Sequence, residues 1–198
     1  AWSCHEALAF QIGGPNCAYV LTTRLPAVAL YFATLQVYPV QTLSEDESLE
    51  VLARFVPEIV SHEAASMREL VCLAGGLPLA LQLLGRYLQT QAYSGQPRRW
   101  HAALERLLQQ PEARLQLTLP RALLERQMGY TGELVSLQTE IESSYRRLDL
   151  ATRHALYALA TMVSPAGIFS EESALVLGSV SLEDLDNLLD AGLLASVG

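Results

Sequence analysis

The chain has 198 residues, a formal net charge of −8 at pH 7 and 51% hydrophobic residues. Its apolar stretches are interrupted before the ~18 residues of a membrane span, and no basic segment followed by an apolar block indicates a signal peptide, so we expect a cytoplasmic protein without a membrane partner. Three cysteines without CxxC spacing argue against a disulfide scaffold or a zinc site. All 13 basic residues are Arg. Because a GxxxxGK[ST] phosphate-binding loop contains a Lys, this sequence excludes such a loop.

The first forty residues predict one short helix and one buried strand. Ser3 is followed three positions later by Glu6, the pattern of a capping box at the start of a helix. "GGPN" at 13–16 is typical of a turn, and the apolar run "CAYVL" at 17–21 has the length of a buried strand. Such a strand needs neighbours that this sequence does not supply. We therefore expect the chain to be a piece of a longer protein, with the other strands upstream of residue 1.

The next part of the chain predicts a set of helices. "SEDE" at 44–47 is a second capping box, and Ser61 is placed to cap a helix that stops at Gly75. A further amphipathic helix is predicted over 98–109, and the proline- and glycine-containing segment 110–132 indicates a junction between subdomains.

The stretch "AGGLPLALQLLGRYL" at 74–88 joins two of these helices. Its glycines allow a sharp turn, and Pro78 suits the first turn of a helix because the amide that proline lacks has no intrahelical partner there. The residues that follow are apolar on nearly every side, so this helix is predicted to lie in a core.

The last third predicts helices followed by an extended segment. The predicted helices cover 133–148 and 151–163 and then begin at Ser170 and Ser181, and the final extended piece is "GLLASV" at 192–197. Several helices followed by a strand is the order of a winged helix.

Four motifs together resemble the NB-ARC modules of STAND-class nucleotide-binding switches, and the resemblance extends over nearly the whole chain. In order they are "YVLTTR" (19–24), "LSEDESLEVLARF" (43–55), "AGGLPLALQLLGRYL" (74–88) and "IESSYRRLDLATRHALYALATM" (141–162). The resemblance implies a mainly α chain with three parts. These are the C-terminal remnant of an α/β P-loop NTPase domain (1–40), a helical bundle subdomain (41–132) and an incomplete winged-helix subdomain (133–198).

The resemblance also implies a nucleotide site. Thr23 and Arg24 match the first sensor, whose Arg reads the terminal phosphate, and Gly76 to Leu79 match the Gly-Leu-Pro-Leu segment, whose Pro78 packs against adenine and ribose. ADP or ATP with Mg would be the cofactor of the intact protein, which would be a slow regulatory ATPase that self-assembles in its active state. Its partners within the same protein would be an upstream P-loop domain and a downstream sensor domain.

Parts of the family pattern are missing from this sequence. The phosphate-binding loop and the Mg-binding acidic pair would precede residue 1, and the Met-His-Asp segment would follow residue 198. We therefore expect the chain to contribute two walls of the nucleotide pocket, without tight nucleotide binding or enzymatic activity of its own.

Two other functions remain open. A DNA-binding winged helix needs cationic groups at the groove, but no Arg follows Arg153 and the segment 170–190 carries six carboxylates, so DNA is an unfavourable partner for this region. A helical protein-interaction module without a nucleotide role is compatible with the same pattern. The His-Glu pairs at His5 and His62 lack the second His of a zinc protease, because Ala9 and Ser66 stand at those positions.

Overall fold

The fold is described by a computed structural model of residues 3–14, 16–33, 36–118, 136–162 and 168–194. The molecule is mainly helical, as expected, and the described residues contain no strand; their one isolated β-bridge is antiparallel and joins Thr118 to Ser136. The chain divides into two compact units, one formed by Val40–Glu140 and the other by Ala1–Pro39 together with Ile141–Gly198.

The first unit, Val40–Glu140, is a bundle around α6. Its helices are α3 (Glu45–Ala53), α4 (Pro57–His62), α5 (Ala64–Ala74), α6 (Pro78–Ala92), α7 (Pro97–Gln109) and α8 (Pro111–Leu115), and α9 (Leu137–Tyr145) begins in it. α6 packs against α3 and α7, while α5 packs against α3, α4 and α7. Leu81 and Leu88 of α6 have no exposed surface, which confirms that the apolar helix of the "AGGLPLALQLLGRYL" stretch lies in a core.

The second unit combines the two ends of the described chain. Its helices are α1 (Cys4–Ala9), α2 (Pro26–Ala33), the end of α9, α10 (Leu150–Met162), α11 (Glu171–Leu177) and α12 (Leu182–Asp190). α1 packs against α2, and α10 packs against α12 around Leu159 and Leu188. None of the described helices has both the length and the apolar character needed to cross a lipid bilayer.

Capping residues were predictable from the sequence. The Ser3 hydroxyl accepts from the Glu6 amide, and both Ser44 with Glu47 and Ser181 with Asp184 form complete capping boxes. In each case a short polar side chain satisfies an amide that the first turn of a helix leaves without an intrahelical partner.

Three predicted elements are wrong or only partly described. Residues 17–21 are irregular, with Val20 94% exposed, because no described strand offers the hydrogen-bonding ladder that a strand requires. The Ser61 hydroxyl donates to the Glu58 carbonyl inside α4, and the separate helix α5 begins after Glu63 without a side-chain cap. Residues 192–194 form a turn and a bend, whereas 195–197 lie outside the described residues.

Three helices were not predicted, and only part of the predicted junction lies in the described residues. α2 begins at Pro26 within an apolar run that has no helical period, and α4 is a short helix that begins at Pro57. The start of the predicted junction, 110–132, forms α8, while residues 119–132 lie outside the described residues. The assignment of 1–40, 41–132 and 133–198 to three functional subdomains stays a prediction.

Candidate functional site

Thr23 and Arg24 lie in the irregular segment directly before α2. The Thr23 hydroxyl oxygen accepts a hydrogen bond from the Leu25 amide at 3.1 Å, which fixes the turn that leads into the helix. The Arg24 side chain is exposed, and its Nη1 donates to the Ser144 hydroxyl at 2.6 Å. The guanidinium therefore contacts the end of α9, and Arg24 is exposed to solvent.

Ser144 is the penultimate residue of α9 and is 3% exposed. Its hydrogen bond with Arg24 joins two positions 120 residues apart within one unit. A buried hydroxyl is costly to leave without a hydrogen bond. The buried Ser144 therefore depends on a hydrogen-bond partner more than the exposed Arg24 does. Sequence reasoning missed Ser144, although it stands inside the "IESSYRRL" motif.

A cavity of about 500 Å³ adjoins this pair. It lies where the end of α9, the start of α10 and the end of α12 meet, within the same unit as Arg24. Its lining consists of Leu25, Ser144, Arg147, Leu148, Asp149, Thr152, Asn187, Asp190 and Ala191. The cavity therefore combines a guanidinium and two carboxylates with hydroxyl, amide and apolar groups.

Hydrogen bonds at the start of α10 fix one wall of the cavity. Asp149 Oδ1 accepts from the Thr152 amide at 2.8 Å and thus caps α10. The Thr152 hydroxyl, 1% exposed, donates to Asp184 Oδ1 at 3.1 Å and accepts from Asn187 Nδ2 at 3.4 Å. The pKa of Asp184 is held below its ordinary value of 3.8, chiefly by the hydrogen bond from the Ser181 hydroxyl, with Thr152 acting in the same direction. These polar groups hold α10 and α12 together.

The Gly-Leu-Pro-Leu segment lies in the other unit and has a clear backbone requirement for glycine. Gly75 and Gly76 have φ of +62° and +64°, in the left-handed region where a Cβ is unfavourable. The Gly76 carbonyl accepts from the Leu43 amide at 2.9 Å, and a Cβ on Gly76 would collide with the Leu43 carbonyl oxygen. Apart from its immediate chain neighbours, no described residue has an atom within 4 Å of the corresponding Cβ position at Gly75. Gly76 is thus required for a close approach between two stretches of backbone.

Pro78 begins α6 with its ring exposed, and the preceding Leu77 is 47% exposed. Leu79 is half-buried and packs in a small cluster with Leu83 and Leu117. The segment therefore presents Leu77 and Pro78 as an apolar surface, while Leu79 anchors it to the bundle.

The predicted site residues fall into two groups. Thr23 and Arg24 belong to the unit that contains both chain ends, and Gly76, Pro78 and Leu79 belong to the bundle. The described residues contain no group of three or more His, Cys, Asp or Glu side chains arranged to hold a metal ion.

Comparisons with protein-family models, curated proteins and solved structures found no match to this chain.

Proposed function

We propose that the chain is part of an ADP/ATP-dependent signalling switch of the STAND class, in which Arg24 senses the terminal phosphate and Pro78 packs against the base. The phosphate-binding loop and the Mg-binding carboxylates would be supplied by a P-loop domain upstream of residue 1. In this proposal ADP holds the helical and winged-helix parts closed, and exchange for ATP frees the winged helix and exposes surfaces for self-assembly.

The position of Arg24 is the observation that carries the proposal. Arg24 is an exposed residue two positions before the start of α2, and its guanidinium donates to a hydroxyl in the motif that resembles the opening of the winged helix. A phosphate that binds this guanidinium would also alter its hydrogen bond to the winged-helix part. Leu77 and Pro78 support the proposal independently, because they present an exposed apolar surface suited to the face of a base.

The surface of the first forty residues agrees with an upstream partner domain. Several large apolar side chains there are more than half exposed: Phe10, Ile12, Val20, Leu30, Tyr31 and Tyr38. A concentration of exposed apolar side chains indicates a surface that another part of a protein covers. The same observation favours the second candidate, a helical interaction module without a nucleotide role.

The test compares ATP and ADP binding by calorimetry, with Mg, in a protein that joins this chain to its upstream P-loop domain. Arg24→Ala should weaken ATP binding about ten- to a hundredfold, because a hydrogen bond to a charged group contributes about 1.5–3 kcal/mol. ADP binding should change less than about twofold, since ADP lacks the terminal phosphate. Arg98→Ala is the control, because Arg98 is also exposed and donates to Gln96 in the other unit.

Three results would contradict the proposal. Equal losses of ATP and ADP binding in Arg24→Ala would remove the role of Arg24 as a sensor of the terminal phosphate. An absence of nucleotide binding in the joined protein would favour the interaction module. Micromolar binding of ADP by the 198-residue chain alone, where we expect no detectable heat at about 100 µM protein, would show that the pocket does not need the upstream domain.

A further inference from the structure

One side of α12 combines exposed leucines with carboxylates. Leu182 is 55% exposed and Leu189 is 40% exposed. At about 3.6 residues per turn these two side chains lie on the same side of the helix, about 10 Å apart along its axis. Asp186 lies between them on that side and Glu183 lies beside it, and both are exposed. These four residues, Leu182, Glu183, Asp186 and Leu189, are called the exposed face of α12.

The two carboxylates of this face have no cationic partner within the described ranges of the chain. Neither Glu183 nor Asp186 forms an ion pair with a described residue, and no Arg, Lys or His follows His154 in the sequence. On α10, which packs against α12, the guanidinium of Arg153 is held at α9, where it lies over the Tyr145 ring. The exposed face therefore presents a negative potential around its two leucines.

Asp190 is exposed on the same helix but is not counted in this face. It lines the cavity described above, and the guanidinium-bearing residue Arg147 lines that cavity as well.

We infer that the exposed face of α12 is a docking site for a basic amphipathic helix of a separate polypeptide. Helices pack side by side through rows of side chains three, four and seven positions apart, so Leu182 and Leu189 fit an apolar stripe on the partner. Arg or Lys side chains that flank this stripe would pair with Glu183 and Asp186. Such docking does not require nucleotide, so it extends the proposed function and does not depend on it.

The composition of the face favours a partner that binds and dissociates. Faces that are covered permanently in a stable assembly are strongly hydrophobic and resemble a domain core, whereas this face combines leucines with carboxylates. The carboxylates keep the face compatible with water while it is unoccupied, and opposite charge on the partner accelerates association. A second copy of this chain is a poor occupant, because each copy carries a net charge of −8 and the copies repel each other.

The test measures binding of a synthetic peptide to the 198-residue chain by fluorescence anisotropy. The probe is three repeats of the heptad Leu-Ala-Arg-Leu-Ala-Arg-Arg, a helix with one apolar stripe flanked by Arg. One control peptide has Glu in place of every Arg, and the other has the residues of the probe in an order without the stripe. We expect a Kd of about 10–100 µM for the probe at low salt and binding at least about tenfold weaker for each control. Equal binding of either control, or a probe Kd above about 1 mM, would overturn the inference.

Matched variants show where the charge of the probe is recognised. Glu183→Gln combined with Asp186→Asn should weaken probe binding about three- to tenfold, and the loss should shrink as salt rises, because exposed charges are screened. The control is Asp46→Asn combined with Glu50→Gln on α3, which removes the same two charges from another exposed helix face and should change binding less than about twofold. Equal losses from the two pairs would mean that the probe responds to net charge alone, and the docking site would be wrong.

Leu189→Ala tests the apolar part of the face. It should weaken probe binding about three- to tenfold at low and at high salt, whereas Leu73→Ala, at a position 45% exposed on α5, should change it less than about twofold. Equal effects would contradict the role of the leucines. Sedimentation of the chain without peptide tests the other occupant. Self-association that Leu189→Ala abolishes would show that a second copy covers this face, and would overturn the assignment to a separate partner.

Discussion

Gly75 and Gly76 offer a matched pair of substitutions that tests the geometry of the turn before α6. Both residues have positive φ, so Gly75→Ala and Gly76→Ala share the cost of placing an L-residue in the left-handed region, about 1–2 kcal/mol. Only the Cβ at Gly76 meets the Leu43 carbonyl oxygen, and moving Leu43 away breaks the 2.9 Å hydrogen bond from its amide to Gly76. That bond contributes about 0.5–1.5 kcal/mol.

We therefore expect Gly75→Ala to lower the free energy of unfolding by about 1–2 kcal/mol and Gly76→Ala by at least about 1 kcal/mol more. Urea unfolding measures both, with the fluorescence of Trp100 as the probe in a Trp2→Phe background, because Trp100 packs against the core of the same unit. With an m-value of about 2 kcal/mol/M, the midpoint for Gly76→Ala should lie at least about 0.5 M below that for Gly75→Ala. Equal midpoints would refute the close approach of Leu43 to Gly76.

Three further outcomes are expected. Leu84 is 2% exposed, so Leu84→Ala should lower the free energy of unfolding by about 2–5 kcal/mol in the same urea experiment. Leu73 is 45% exposed, so Leu73→Ala should lower it by less than about 1 kcal/mol. Similar losses in the two variants would contradict the assigned burial. The hydrogen bonds from Ser44 hold the pKa of Glu47 below its ordinary value of 4.5, so the carboxylate stabilises the fold above pH 4.5 and this contribution is lost as the pH falls through the lowered pKa. Wild type should therefore lose stability relative to Glu47→Gln between pH 7 and pH 3 in urea midpoints, and a difference independent of pH would oppose this reading. In a gel-shift assay at low salt the chain should not retard duplex DNA, because six carboxylates and no Arg occupy 170–190; a salt-sensitive shift at micromolar protein would overturn that expectation.

Local signals in the sequence predicted most of the helices correctly. Ser44, Ser170 and Ser181 cap helices as expected because capping depends on residues within one turn. The buried helix α6 was also predictable, since its apolar residues leave only a narrow polar face. The apolar run at 17–21 misled the prediction because a strand is defined by its partners, and the described residues provide none.

The candidate site was predictable only in part. Gly76 was singled out by a motif, whereas its contact with Leu43 is a tertiary feature that no local pattern contains. The pairing of Arg24 with Ser144 spans 120 positions, and a single serine among many carries no signal of such a partner. Long-range hydrogen bonds of this kind depend on how the helices pack, which periodicity does not specify.

Photolabelling tests the central claim, the nucleotide site, most directly. An azido derivative of ADP that carries its reactive group on adenine is bound, with Mg, to the chain joined to its P-loop domain, and the labelled protein is digested with trypsin. Because this chain contains no Lys, cleavage after Arg68 and Arg86 yields residues 69–86, a peptide that includes Gly76, Pro78 and Leu79. We predict that this peptide carries label and that excess unlabelled ADP abolishes it. Labelling that excess ADP does not reduce, or specific label that is absent from this peptide, would contradict the account.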